Sequence, residues 1–232
     1  MRRLTIWSIP IDREICAGDN LGDLLGATGE LADGDVVCVS QKAVSKAEGR
    51  VIQSDPEHLD EAFEAALAAE TRRVLRVRGT TRIVETHHGF VCANAGIDRS
   101  NAPAHALVLL PEDPDRSARR IRDRLRFAWN LHVGVIVTDT FGRAWREGVT
   151  DVAIGVAGVR AILDLRGTAD WTGATLRVTE VCIADEIAAA ANLVATKAAG
   201  TPFSVVRGID PAWLAESSAR AIVRDSARDL FR

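Results

Sequence analysis

Three Asp-Pro pairs punctuate the chain, at Asp55-Pro56, Asp113-Pro114 and Asp210-Pro211. An aspartate can cap a helix, and proline fits only its first turn, so each pair predicts a helix start. After Asp55 the apolar residues Leu59, Phe63 and Leu67 recur along one stripe. After Asp113 the stripe is Ala118, Ile121, Leu125 and Ala128, and the opposite face carries Arg116, Arg119, Arg120, Arg122, Arg124 and Arg126. That arginine face reads as solvated or salt-bridged. After Asp210 a C-terminal helix is expected through "DPAWLAESSARAIVRDSARDLFR". "ADEIAAAANLVATKAAG" adds an alanine-rich helix ending near Gly200.

Strand-like runs lie between these helices: "DVVCVS", "RRVLRVR", "ALVLLP", "VGVIVTD", "TLRVTEVCIA" and "PFSVVRG". They are short, β-branched and bounded by Gly, Pro or Asp. Helices and strands mix without a plain βαβ alternation. The expected fold is mixed α/β (α+β) and unusual, neither Rossmann nor P-loop. No G-x-x-x-x-G-K-[ST], G-x-G-x-x-G or G-x-S-x-G is present. No linker or repeat divides the chain, so one domain over 1–232 is expected, in which two subdomains could interleave.

The bulk numbers narrow the function. A net charge of −3 and a pI near 6.0 give no general affinity for nucleic acid or an anionic membrane. No apolar run reaches the length of a membrane span, and "MRRLTIWSIPIDREI" is broken by Pro10 and Asp12 before a signal-peptide core can form. A cytoplasmic location is expected. Cys16, Cys38, Cys92 and Cys182 are scattered, with no C-x-x-C, and read as small hydrophobes, not metal ligands or disulfides. His87 and His88 are neighbours that a strand would point to opposite faces, so they do not suggest one metal site.

Three segments look unlike scaffold. "GDVVCVSQKAVSKAEGR" runs from a buried strand into Ser40, Gln41, Lys42, Ser45 and Lys46, an anion site or an exposed loop before a helix. "CANAGIDRSN" offers the Asp98 carboxylate and the Asn101 amide after Gly96, a ligand turn or a simple Asx-turn. "VGVIVTDTFGRAWREGVTDVAIGVAG" ends an apolar strand at Thr138, Asp139 and Thr140, then places Arg143, Trp145, Arg146 and Glu147 in a glycine-bounded loop. Hard oxygen donors at a strand's end suit ligands in α/β sheets. With Asp98 they could hold Mg²⁺ or Mn²⁺.

These blocks, in this order, resemble coenzyme F420-0:L-glutamate ligase, the γ-glutamyl ligase family of F420 biosynthesis. The opening "IWSIPIDREICAGDNLGDLL" and the late "ADEIAAAANLVATKAAGTPFSVVRG" match as well, so the resemblance spans essentially the whole chain. Some relatives carry a fused flavin-binding, nitroreductase-like domain, and this chain is similar to the stand-alone form.

The resemblance implies GTP-dependent amide synthesis on coenzyme F420-0 or a precursor of it, with L-glutamate as the second substrate. It also implies Mg²⁺ or Mn²⁺, stimulation by K⁺, and an intertwined homodimer with the site near the subunit interface. On the matching positions it puts Asp98, Asp139 and Thr140 on the metal. It puts Ile9, Pro10, Ile11, Asp12, Gln41, Lys42, Lys46, Asn101, Thr196 and Lys197 on GTP. Asp12 and Lys42 stand where relatives often carry other residues, and Lys197 where some have Gln. A metal-dependent GTPase or phosphotransferase, and a non-catalytic nucleotide-binding oligomerisation module, are the alternatives.

Overall fold

A computed structural model describes residues 3–99, 105–195 and 200–230. In chain order the elements are β1 (Thr5–Ile9), α1 (Leu21–Gly26), β2 (Val36–Ser40), α2 (Gln41–Ala47), β3 (Val51–Gln53), α3 (Leu59–Glu70), β4 (Thr71–Arg78), β5 (Thr81–Thr86), β6 (Val91–Ala93) and β7 (Ala106–Val108). They continue with α4 (Pro114–Trp129), β8 (Gly134–Arg143), β9 (Arg146–Ala157), β10 (Leu163–Asp164), β11 (Glu180–Val181), α5 (Ile183–Asn192) and β12 (Phe203–Arg207).

The central sheet has the order β1-β12-β2-β8-β9, and only the β2/β8 pair is parallel. Its middle strands are apolar on both sides because both faces are covered. Val37, Val39, Val135, Val137, Phe203 and Val205 face a cluster shared with α1, α2 and α4. Val36, Cys38, Ile136 and Val206 face the other way, onto α5 and the C-terminal segment. This strand-by-strand alternation is the period of two expected of a pleated chain.

A second lobe is built from residues 51–99 and 105–109. There α3 presents Phe63, Ala66 and Leu67 to Val84, Ile97, Leu107 and Leu109. Its sheets are β4-β5-β6 and the short β3-β7 pair. The architecture is mixed, with several separate sheets and no doubly wound Rossmann arrangement.

Helix α4 starts as its Asp-Pro pair predicts: the Asp113 carboxylate accepts from the Arg116 amide at 2.9 Å. It packs so closely on β9 that a Cβ on Gly155 would lie 2.2 Å from the Pro114 carbonyl oxygen. At Pro56 the chain first makes a 3₁₀ turn, Pro56–His58, and α3 begins only at Leu59. The alanine-rich helix ends at Asn192, short of Gly200.

The expected C-terminal helix does not form. Asp210 does cap a turn, accepting from the Ala212 amide at 3.1 Å, but the segment breaks into 3₁₀ turns at Pro211–Trp213, Ala219–Ala221 and Ser226–Arg228. Its hydrogen bonds are spent on the body of the protein. The Ala219 amide donates to buried Asp115 at 2.8 Å, and the Ser217 hydroxyl accepts from the Ala161 amide at 3.1 Å. Tertiary bonds of this kind override a helical sequence pattern. Of "TLRVTEVCIA", only Glu180–Val181 is strand.

Candidate functional site

Where the parallel pair ends, the two strands part. Ser40 is the last residue of β2 and lies opposite Thr138. Strand β2 passes directly into α2, while β8 runs on through Asp139 and Thr140 to Arg143, paired with β9. The gap opened at that point is a cleft of about 670 Å³. A register shift between Val137 and Thr138, the mark of a bulge, comes just before Asp139 and re-aims the following side chains. The sequence predicts Asp139 and Thr140 at a strand end and Arg143 to Glu147 in a loop. Instead the whole stretch is a β-hairpin whose tip holds Trp145, 80% exposed.

The second wall comes from the turn after β6. Asn94, Ala95 and Gly96 have successive φ values of 51°, 55° and 70°. Left-handed backbone is costly for non-glycine residues and needs support from its surroundings. Here the Asn94 side chain accepts from the Arg82 amide at 2.9 Å, Ala95 is buried, and a Cβ on Gly96 would press on Leu110 at 2.9 Å. The chain then straightens, and Asp98 and Val108 exchange both backbone hydrogen bonds at 2.9 Å. This clamp aims the Asp98 side chain into the cleft.

Lys42 and Lys46 come from the α2 wall. Lys42 forms an ion pair with Asp98, and Lys46 one with Glu14 at 2.9 Å. Ile11, Arg13 and Glu14 line the cleft from the segment after β1. The Ile11 amide donates to the Gly200 carbonyl at 3.3 Å, tying that segment to the chain that enters β12.

Of the residues singled out in the sequence, Ile11, Lys42, Lys46, Asp98, Asp139 and Thr140 therefore meet in one place. Ile9 is buried in the core, and Pro10 and Asp12 are exposed without lining the cleft. Gln41 is turned inward: its amide donates to the Leu109 carbonyl at 2.7 Å and the Ser45 hydroxyl at 2.8 Å. A nucleotide contact at Gln41 would have to use its backbone. Asn101, Thr196 and Lys197 lie outside the described residues.

Asp151 was not singled out, and it completes the acidic wall. It faces Thr140 across the hairpin and accepts a hydrogen bond from the Thr140 hydroxyl at 2.7 Å. Reading the glycine-bounded stretch as a hairpin would have paired these positions; reading it as a loop hid the pair. Arg13 and Glu14 were also missed. Arg13 is held by two 2.8 Å bonds to Asp19, whose carboxyl this guanidinium keeps down at about 2.

The acidic wall is electrostatically loaded. Burial above all, with the charges of Asp151 and Asp98, raises the Asp139 carboxyl to about 7. The Thr140 amide, 2.8 Å away, and the Lys42 charge oppose that rise. Neither Asp139 nor Asp151 has an ion pair among the described residues. Half-buried carboxylates that line one cleft without an ion pair of their own fit a hard divalent cation. No three Asp, Glu, His or Cys side chains among the described residues form a ready-made metal cage.

Comparison with known proteins finds relatives over nearly the whole chain. The sequence pattern described as F420-0:Gamma-glutamyl ligase matches residues 12–208. Coenzyme F420:L-glutamate ligase of Methanopyrus kandleri is 42% identical, over 99% of this chain and 98% of its own length. The proteins of that name from Methanothermobacter thermautotrophicus and Archaeoglobus fulgidus are 40% and 39% identical, over 93% and 98% of this chain and 94% of each relative. No helix of the described residues is long and apolar enough to cross a membrane.

Proposed function

The chain belongs to the F420-0:gamma-glutamyl ligase family, and we propose that it joins L-glutamate to coenzyme F420-0, or to a precursor of it, at the expense of GTP. The observation that carries this reading is the meeting of Asp98, Asp139 and Thr140 with Lys42 and Lys46 in one cleft. Acidic oxygen donors opposite mobile ammonium groups are what a metal-nucleotide phosphoryl transfer needs.

A carboxylate and an amine do not form an amide at neutral pH without activation. The γ-phosphoryl group of GTP passes to the lactyl carboxylate of F420-0. A P–O bond to that carboxylate forms as the bond to the β-bridging oxygen breaks, and GDP leaves. The α-amine of glutamate then attacks the acyl carbon, a C–N bond forms, and phosphate departs while the amine gives up its proton. A second cycle extends the product through a γ-carboxylate.

Mg²⁺ or Mn²⁺, if bound there, would neutralise charge on the phosphate oxygens. Asp98, Asp139 and Thr140 are the residues that would hold it. The Thr140 hydroxyl donates a hydrogen bond to Asp151, which leaves its oxygen lone pairs available. Lys42 and Lys46 offset phosphate charge, and Ile11 borders the same space. The protein's work is positioning and electrostatics, the main terms in phosphoryl transfer. Stimulation by K⁺ belongs to the same reading, with no residue assigned to it. So do a cytoplasmic location, a single folding unit and a homodimer. Trp145 and Val149, exposed near the hairpin tip, are apolar surface that a second copy would cover.

Purified protein incubated with GTP, Mn²⁺, L-glutamate and F420-0 should release GDP and yield F420-0 heavier by one or two glutamyl units. GDP without glutamate addition would favour a GTPase or phosphotransferase. Neither product, with Asp98→Ala leaving metal and GTP binding unchanged, would favour a non-catalytic module.

A further inference from the structure

Lys42 and Asp98 reach each other from separate walls of the cleft, one from the first turn of α2 and the other from the clamp after β6. Their side chains are only 22% and 19% exposed. The positive charge of Lys42 also reaches Asp139. The acidic wall thus already contains a cation, and that cation sits on a flexible four-carbon stem. Asp139 and Asp151, by contrast, have no ion pair among the described residues.

We propose that the Lys42 ammonium is an internal stand-in for the divalent ion, holding Asp98 until a metal displaces it and then turning to a nucleotide phosphate. This rests on the reading above, in which Asp98 and Asp139 take the metal and Lys42 takes the nucleotide. An ammonium in contact with Asp98 and a divalent ion on the same carboxylate repel each other strongly at such short range. Metal alone must break the Lys42–Asp98 pair, and nucleotide alone must do the same. When both bind, the pair is broken once. Each ligand therefore raises the affinity for the other, and by the same factor.

The sign of the Lys42 effect separates this device from a simple ligand role. Mn²⁺ binding is followed by electron paramagnetic resonance of the free ion, without nucleotide, for the wild type and for Lys42→Met, Lys42→Gln and Lys42→Arg. Met and Gln should bind Mn²⁺ more tightly than the wild type, by about tenfold, the size of an ion pair somewhat stronger than a fully exposed one. Arg should bind it no more tightly than the wild type, because a guanidinium grips a carboxylate in bidentate fashion. Added GDP should tighten Mn²⁺ binding more in the wild type than in the Met variant. Thermal unfolding of each metal-free variant checks that it is folded, and the Arg and Gln variants serve if Met is not. Unchanged or weaker Mn²⁺ binding in both Met and Gln overturns the proposal while leaving the metal site standing. If no variant, the wild type included, binds Mn²⁺ with or without GDP, the metal reading itself fails.

Discussion

Thr140 and Asp151 face each other across the β8–β9 hairpin, and the threonine hydroxyl donates to the aspartate at 2.7 Å. The bond makes Asp151 part of the acidic wall although it stands on the strand beyond Asp139. Asp151→Asn keeps an acceptor for the hydroxyl and removes a charge that opposes Asp139. It should lower kcat/KM by about tenfold, a typical loss for one charge-assisted interaction. Its metal-free melting temperature should equal or exceed that of the wild type. A lower melting temperature would make Asp151 a structural residue.

Removing a carboxylate that we assign to the metal should cost more. Asp98→Asn and Asp139→Asn should each lower kcat on the order of a hundredfold or more, judged from what charge-stabilising groups contribute. Steady-state rates at saturating Mn²⁺ check this.

Asp139 also sets a pH dependence for the metal-free protein. Its carboxyl titrates near 7 in the fold, against 3.8 for the ordinary group. A raised acid binds its proton more tightly when folded, so its contribution is most favourable below 3.8 and is lost as the pH rises to about 7. Asp139→Asn has no charge to bury. Relative to the wild type, its urea midpoint should therefore climb between pH 4 and 7 and level off above. A difference that stays flat across that range would show that Asp139 is not titrating as described.

The thiols should divide by burial. Burial pushes Cys92 and Cys182 up to about 12, and Cys38 higher still, while Cys16 is exposed. A thiol-reactive chromophore at pH 8 should modify Cys16 quickly in the native protein and the remaining thiols only in denaturant. Rapid native modification of Cys92 would contradict the packing around β6.

Gly155→Ala tests the contact between α4 and β9. Its Cβ would lie 2.2 Å from the Pro114 carbonyl oxygen, a backbone atom that cannot swing aside. We expect a loss of about 1–3 kcal/mol, the usual cost of overpacking, read from urea unfolding.

Local signals in the sequence carried some of this structure and missed some. Asp113-Pro114 was enough to place the start of α4, because cap and helix lie within a few residues of each other. Asp210-Pro211 misled, because Ala219 and Ser217 bond to Asp115 and Ala161, partners far away in the chain. The same contrast holds in the cleft. Asp98, Asp139 and Thr140 stood out as polar residues beside glycine turns and an apolar run. Asp151 emerges only from the hairpin register, and the inward turn of Gln41 only from its bond to the Leu109 carbonyl. Residues whose role depends on a distant partner were the ones the sequence could not reveal.

The central claim is ligation through an acyl phosphate formed in the Asp98–Asp139 cleft. It is tested most directly by labelling the lactyl carboxylate of F420-0 with ¹⁸O and analysing the phosphate released during glutamate addition by mass spectrometry. The account predicts that one labelled oxygen moves from the carboxylate to phosphate for each amide formed in the first addition. Phosphate that carries no label, or takes its new oxygen from water, would contradict it.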